Sequence, residues 1–346
     1  MKKTICLIFI LAFAVPLVFA RGGGDRAARN QRSNTIVIYT SMYVDVIENV
    51  ARYLNRHFPG YQINFVQAGT GILQQRVATE RSSGRLGADI LMVAEPAFSL
   101  ELKEAGMLHP FRYREASALI FDYDPQGYWY PVRVSNMVLA FNSNRHARNT
   151  VPNSFLDFAN DTRVRGAISM RNPLVSGTTM ATITALRDRY EYTYFDALGR
   201  QRVMIDYGAD ETLGKLESGE SRVAMILEES ILKARQEGNT RLEIIYPTDG
   251  TVVIPSNIMI INDQWSANRN ASAAVEIAEW FLSMEGQTVI VGGWMHSVRG
   301  DFPHPPHGSI PIAQIRETSI PVVWENVFQE RREIQGRFEE YLARGR

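Results

Sequence analysis

The early part of the chain alternates strand-like and helix-like segments, and this alternation limits the possible folds more than any other feature. Apolar, β-branched runs at 35–39, 61–66 and 88–93 predict strands, and a segment with helical spacing of apolar residues follows each of them. Strands that alternate with helices form parallel sheets covered on both faces. Buried parallel strands are expected to be continuously apolar, and 88–93 is apolar apart from Asp89. The sequence therefore predicts an α/β fold.

A second α/β unit follows the first. Strand-like segments at 167–170, 203–207 and 222–227 are again followed by helical patterns, and extended segments at 134–142 and 252–261 flank this unit. We therefore predict a two-lobe fold with parallel-rich sheets, two crossover segments and a cleft between the lobes. The predicted boundaries are 35–135 and 262–346 for lobe 1, and 136–261 for lobe 2.

The N-terminus has the pattern of a secretory signal peptide. Lys2 and Lys3 precede an apolar run, which ends in small residues at Ala20. We predict a signal peptide over 1–20, a flexible lead-in over 21–34 and a periplasmic mature protein. The alternative is an uncleaved membrane anchor, for which the run is short.

Charge and motifs exclude several classes of function. The chain has 37 basic and 37 acidic residues, so no charge excess favours nucleic acid as a partner. GxSxG, Walker, HExxH and clustered-cysteine motifs are absent from the sequence, which predicts a protein that is not an enzyme and needs no cofactor. An exported hydrolase or transferase remains the alternative from a different class.

Four polar turns join a predicted strand to a predicted helix. Helix N-termini present unpaired N–H groups to anions, and ligands of α/β sheets bind beyond the carboxyl ends of the strands. The simpler interpretation of each turn is a helix N-cap. The candidate ligand-binding residues in these turns are Thr40, Ser41, Thr70, Gly71, Ser176, Gly177, Thr178 and Gly208.

Three charged residues complete the set of candidates from these patterns. Arg133 precedes the first crossover, where a guanidinium is suited to pair with an anion. Glu228 and Glu229 lie at a strand-to-helix junction and are candidates to accept hydrogen bonds from hydroxyls or an amine. Their alternative role is to place negative charge at a helix N-terminus.

Several segments together resemble a known family. The chain is similar to type II periplasmic solute-binding proteins of ABC importers, in particular those for ferric iron, sugar phosphates and phosphonates. This resemblance implies a solute-binding protein, which we expect to be a monomer, that serves a permease and an ATPase of the inner membrane. The segments that carry it are VIYTS (37–41), ADILMVAEPAFSLELKEAGMLHPF (88–111), VSNMVLAFNSN (134–144), NPLVSGTT (172–179), LGKLESGESRVAMILEES (213–230), IPSNIMII (254–261) and AEWFLSMEGQ (278–287).

The resemblance leaves two solutes open. In iron-binding members a glutamate after the third strand is a metal ligand, and it corresponds to Glu95. Those members also use an early histidine and a pair of adjacent tyrosines, but this chain has no such tyrosine pair and has Glu228-Glu229-Ser230 at that position. Ferric iron is a hard cation that is suited to phenolate ligands. The Ser176-Gly177-Thr178 turn resembles the anion-holding loop of organophosphate-binding relatives. We therefore expect an organophosphate or phosphonate, with ferric iron bound through Glu95 as the alternative.

Overall fold

The computed structural model describes residues 34–238 and 241–345. The predicted signal peptide (1–20) and nearly all of the predicted lead-in (21–34) lie outside these residues. Within the described residues, no helix is both long and apolar enough to cross a membrane.

The strands of the described chain form one continuous sheet of nine strands. They are β1 (Thr35–Thr40), β2 (Gln62–Gln67), β3 (Ile90–Ala94), β4 (Trp129–Asn142), β5 (Ile168–Arg171), β6 (Met204–Asp206), β7 (Val223–Leu227), β8 (Leu242–Ile245) and β9 (Val252–Ile260).

Helices follow most of the strands and cover both faces of the sheet. They are α1 (Val44–His57), α2 (Thr70–Ser82), α3 (Ala97–Glu104), α4 (Phe155–Asn160), α5 (Gly177–Tyr190), α6 (Thr193–Arg200), α7 (Ala209–Ser218), α8 (Glu228–Gln236), α9 (Ala271–Leu282), α10 (Met284–Gly292), α11 (Ile312–Glu317), α12 (Trp324–Gln329) and α13 (Arg331–Arg344).

The strand order is β2-β1-β3-β9-β4-β7-β5-β6, with β8 paired to β4. The pairs β1–β2, β1–β3, β5–β6 and β5–β7 are parallel, whereas β4 and β9 pair antiparallel with their neighbours. We call the part around β1–β3 the first lobe and the part around β5–β7 the second lobe. The predicted two-lobe α/β fold with two crossover segments is confirmed.

The two crossovers are β4 and β9, and they pair with each other over most of their length. Their register runs from Trp129 opposite Met259 to Met137 opposite Val252. The first crossover begins at Trp129, earlier than predicted, because the aromatic segment before Val134 already pairs with β9. Because β9 pairs with β3 and β4 pairs with β7, the predicted sheets of the two lobes are joined into one continuous sheet.

Both faces of the central strands are buried, which explains their apolar sequences. In β3, Ile90 and Met92 belong to one hydrophobic cluster and Leu91 and Val93 to the opposite one. Side chains alternate between the faces of a strand, so a strand covered on both faces has no polar side to show in its sequence.

The C-terminal segment differs from the sequence prediction in two ways. The helix predicted over 325–342 is two helices, α12 and α13, which meet at Glu330. The predicted boundaries assign 262–346 to lobe 1, but Ile334 and Phe338 of α13 pack in the hydrophobic cluster of the second lobe, beside Phe195. The many charges of α13 obscure the apolar i, i+4 spacing of these residues in the sequence. The other lobe boundaries remain a prediction.

Candidate functional site

A cleft of about 650 Å³ lies between the two lobes. Its walls are formed where the parallel strands of both lobes end: Ser41 follows β1, Ala94 ends β3, Arg171 ends β5 and Leu227 ends β7. This is the edge of an α/β sheet at which ligands bind. The cleft therefore is the candidate site.

The structure brings most of the predicted site residues together at this cleft and leaves four of them elsewhere. Those that line the cleft are Ser41, Thr70, Arg133, Ser176, Gly177, Thr178, Gly208 and Glu229. Those that do not line it are Thr40, Gly71, Glu95 and Glu228. Solute binding by the residues in the first group remains a prediction.

Two of the four residues outside the cleft, Thr40 and Gly71, form hydrogen bonds with backbone groups of other residues. Thr40 is fully buried, and its Oγ1 accepts a hydrogen bond from the amide of Met42 at 3.2 Å, which stabilises the turn after β1. Gly71 lies where the lobes meet, and its amide donates to the carbonyl oxygen of Val175 at 3.3 Å. A Cβ at Gly71 would lie 2.2 Å from the carbonyl oxygen of Leu174, so the contact requires glycine.

Glu228 belongs to a buried polar network near the crossovers. Its Oε2 accepts from Asn136 at 3.2 Å and lies 3.0 Å from Nε2 of His296, while Oε1 accepts from the hydroxyls of Tyr246 and Ser309. Burial works against the charged carboxylate, but these contacts outweigh it and the pKa of Glu228 is lowered. Its hydrogen-bonding capacity is used within the protein, so Glu228 is not placed to accept from a solute.

Glu95 is buried beside the C-terminal helices rather than in the cleft. Its Oε2 accepts from Gln74 at 3.1 Å and from Arg331 at 2.5 Å. Its φ of 89° is in the left-handed region, which is uncommon for a residue other than glycine. The cation beside this carboxylate is therefore supplied by the chain itself.

Ser41 and Arg133 form a linked pair on the first-lobe side of the cleft. The Oγ of Ser41 accepts from the amide of Ala94 at 3.1 Å and from Nη2 of Arg133 at 3.0 Å. A serine hydroxyl has two lone pairs and one proton, so both acceptor positions are used and the proton remains to be donated. The Nε of Arg133 is buried without a hydrogen-bond partner among the described residues. Both groups thus offer donors at the cleft.

The loop before α5 provides a similar arrangement on the second-lobe side. Ser176 caps α5, since its Oγ accepts from the amide and the hydroxyl of Thr179 at 3.2 and 2.9 Å. The Ser176 hydroxyl can donate its own proton either to Oγ1 of Thr178, which is 3.0 Å away, or to an acceptor in the cleft. The N-cap interpretation of this turn is confirmed, and capping leaves the hydroxyl with a proton to donate.

Several cleft residues were not anticipated from the sequence. Arg171 ends β5, and its Nε is buried with no partner in the described parts of the chain. Across the cleft, Lys233 pairs with Asp45 at 3.1 Å, and the hydroxyls of Tyr43 and Ser230 lie 2.7 Å apart. The position of Arg171 at the end of a predicted strand is the signal in the sequence, but the residues directly after it lack the glycines and hydroxyls that mark the predicted turns.

Burial shifts the pKa values of the ionisable groups in the cleft. It raises the pKa of Glu229 to about 7, although Ser135 donates to its Oε1 at 2.6 Å. Burial also lowers the pKa of Arg133 to about 10, so this guanidinium remains charged at neutral pH. The inner cleft therefore combines two guanidinium groups with a carboxyl that is close to its titration point.

The described residues contain no cluster of three or more histidine, cysteine, aspartate or glutamate side chains suited to hold a metal ion. The hydrogen-bond donors that line the cleft are hydroxyls, guanidinium groups, the ammonium group of Lys233 and helix N-termini, and the carboxylates that line it are Asp45, Glu48, Asp210 and Glu229. This donor set is typical of sites for anions.

Comparisons with known proteins agree on the fold. Iron-bound HitA from Pseudomonas aeruginosa superposes with a TM-score of 0.76 at 18% identity, covering 89% of this chain and 99% of that protein. The periplasmic binding protein AfuA from Actinobacillus pleuropneumoniae, with fructose-6-phosphate bound, gives 0.76 and 18%, covering 89% and 98%. An ABC transporter substrate-binding protein from Agrobacterium tumefaciens gives 0.78 and 16%, covering 91% and 96%. The fold is thus that of type II periplasmic binding proteins of ABC importers.

Sequence comparison identifies the family. No curated protein matches the chain. A family model described as bacterial extracellular solute-binding protein matches residues 87–307, which is more than half of the chain. Members of this family are extracellular solute-binding proteins, and the solute-binding proteins of ABC importers work with a permease and an ATPase of the inner membrane. This chain belongs to the bacterial extracellular solute-binding protein family.

Proposed function

We propose that this protein captures an organophosphate, such as a sugar phosphate, or a phosphonate in the cleft between its lobes. It then delivers the solute, as a monomer in the periplasm, to its own permease and ATPase. The observation that carries the proposal is the pair of arginines Arg133 and Arg171. Each has a buried Nε without a partner among the described residues, and they come from opposite lobes.

Two guanidinium groups facing one cleft are suited to a tetrahedral dianion. Guanidinium presents its N–H groups in a planar fork that matches phosphate oxygens, and hydrogen bonds between charged groups are the stronger ones. The N-termini of α2, α5 and α7 reach the same cleft through Thr70, Gly177 and Gly208. Their positive ends add favourable interaction with negative charge.

The remainder of the solute lies next to the anionic group. Glu229 is buried at the cleft and one of its oxygens already accepts from Ser135, so its second oxygen is the candidate acceptor for a solute hydroxyl or amine. Tyr207 is 68% exposed at the rim and offers an aromatic surface to the non-phosphate part. This arrangement favours a phosphorylated solute with further polar groups over inorganic phosphate.

Ferric iron, the alternative cargo, has weaker support in the geometry. Glu95 lies outside the cleft and pairs with Arg331, and the described residues offer no cluster of metal-binding side chains. Similarity to HitA at 18% identity concerns the fold. A site for iron would need phenolate or carboxylate ligands that converge in the cleft.

The test is a calorimetric titration of the protein with fructose 6-phosphate and, separately, with a short alkylphosphonate. Binding of either one, weakened about 10- to 100-fold by Arg171→Ala, is the expected result, since charged hydrogen bonds contribute about 1.5–3 kcal/mol. The matched control is Arg165→Ala, because Arg165 is exposed at the other end of β5. Equal weakening by both variants, or tighter binding of ferric citrate than of either phosphorus compound, contradicts the proposal.

A further inference from the structure

We propose that the C-terminal segment 324–345, here called the C-terminal strap, fastens the two lobes in the closed form through the ion pair of Arg331 with Glu95. Its effect on solute affinity rests on the function proposed above. Its effect on lobe closure does not.

The strap is anchored on the second lobe. Ile334 and Phe338 are buried in the second-lobe cluster, and the ring of Phe338 meets that of Phe195 edge-on at 5.4 Å. Polar contacts add to this packing, since Arg187 of α5 donates to Glu330 at 2.5 Å. The strap therefore moves with the second lobe when the lobes separate.

The strap also reaches the first lobe. Helix α12 packs between α3 of the first lobe and α5 of the second. At the start of α13, Nη2 of Arg331 donates to Oε2 of Glu95 at 2.5 Å and Nη1 donates to Oε1 of Gln74 at 3.2 Å. Gln74 in turn donates to Glu95 at 3.1 Å, which closes a triangle of polar contacts. One side chain of the strap thus holds two residues of the first lobe.

Glu95 needs this partner when the lobes are closed. The carboxylate is fully buried, its Oε1 has no hydrogen-bond partner among the described residues, and burial raises its pKa. A buried carboxylate without a cation is strongly unfavourable. Separation of the lobes would expose Glu95 to water, so the ion pair contributes mainly to the closed form.

The lobes touch directly beside this ion pair. A Cβ at Gly177 of the second lobe would lie 2.8 Å from both the Ala94 carbonyl oxygen and the Thr70 Cβ of the first. Arg331 itself does not line the cleft. It is therefore a positioning residue, which acts on the solute through the distance between the lobes.

The experiment compares Arg331→Gln with Arg337→Gln, an exposed arginine of the same helix that pairs with Glu340 within the strap. Small-angle X-ray scattering of the solute-free protein measures how far the lobes are closed. We expect a larger radius of gyration for Arg331→Gln than for the wild type and for Arg337→Gln. If the three proteins have the same radius of gyration, the proposal that the strap fastens the lobes is wrong.

Solute binding gives a second readout. We expect Arg331→Gln to raise the dissociation constant for fructose 6-phosphate about 10- to 100-fold, mainly through faster release. Arg331→Lys keeps the charge without the planar fork and should give a smaller increase. If Arg331→Gln binds fructose 6-phosphate as tightly as the wild type does, the proposal that the strap fastens the lobes is wrong. If the wild type binds no phosphorus compound but the scattering difference persists, the strap stands and the proposed solute is wrong.

Glu95→Gln completes a double-mutant cycle. If the ion pair holds the lobes together, the double variant should have the same radius of gyration as either single variant, because each single substitution already removes the interaction. Additive opening by the two substitutions overturns the pairing. Arg331 is partly exposed at the surface, so its variants remain informative if Glu95→Gln fails to fold.

Discussion

The amide of Gly71 in the first lobe donates a hydrogen bond to the carbonyl oxygen of Val175 in the second, at 3.3 Å. Two helix N-terminal regions that would otherwise face water thus meet backbone to backbone. The contact places the start of α2 against the loop that precedes α5, and the cleft with its hydroxyls lies beside it. The lobes are therefore closed on each other in this structure.

Gly71→Ala should prevent this approach, because its Cβ would lie 2.2 Å from the carbonyl oxygen of Leu174. We expect a folded protein that closes incompletely and binds its solute at least about ten-fold more weakly. Scattering and calorimetry measure the two effects. The control is Gly214→Ala in α7, where an added Cβ meets nothing within 4 Å. Unchanged affinity in Gly71→Ala would show that closure does not depend on this contact.

Ser41→Ala removes the hydroxyl that accepts from Arg133 and offers its proton to the cleft. We expect weaker binding of the phosphorus compound, by about 10-fold, since a hydrogen bond to a charged group is lost and the guanidinium loses a positioning contact. Calorimetry measures the change. Ser143→Ala, at an exposed serine remote from the cleft, provides the control. An equal loss in both variants would remove Ser41 from the site.

Glu229 should make stability depend on pH. Its folded-state pKa is about 7 against an ordinary value of 4.5, so the stability contribution of the protonated form is complete below 4.5 and is lost as pH rises through 7. Arg133 on β4, Tyr43 after β1 and neighbouring Glu228 are the charged or titratable groups that act on it.

Urea unfolding of the wild type and of Glu229→Gln at pH 4.5 and 8 tests this dependence. Between these pH values, the wild type should lose up to about 3 kcal/mol relative to the variant, which cannot ionise at this position. Parallel pH profiles for the two proteins would mean that Glu229 titrates normally. Comparison with the variant cancels the contributions of the other titrating groups.

Phe338→Ala tests how firmly the strap is anchored. The ring is 1% exposed, and its removal leaves a cavity against Phe195, so we expect a loss of about 3–5 kcal/mol in the free energy of unfolding. Tyr341→Ala, at a residue that is only partly buried against the same cluster, should cost less. Equal costs would place the anchor of the strap elsewhere along α13.

Local sequence patterns were sufficient for the elements and for the edge of the sheet that bears the site. The apolar run at Ile90–Ala94 and the capped turn at Ser176 show their environments directly, because burial on both faces and capping are properties of a few consecutive residues. The same local signal predicts that Ser41 and Thr70 line the site, because the carboxyl ends of parallel strands meet at the same edge of a sheet.

Long-range partners explain the residues that were misplaced. Glu95 was a candidate ligand until the structure paired it with Arg331, which is 236 positions away in the sequence. Glu228 is likewise engaged by His296, and nothing near Glu228 in the sequence indicates that contact. Arg171 is not predicted for the opposite reason, because a charged residue at the end of a strand resembles an ordinary surface position until the first lobe covers it.

The most direct test of the proposed solute is native mass spectrometry after the protein is offered an equimolar mixture of fructose 6-phosphate, an alkylphosphonate, the unphosphorylated sugar and ferric citrate. The account predicts a retained adduct with the mass of one of the two phosphorus compounds, which is strongly reduced in Arg171→Ala and preserved in Arg165→Ala. Retention of iron, retention of the unphosphorylated sugar, or an adduct indifferent to Arg171 would contradict it.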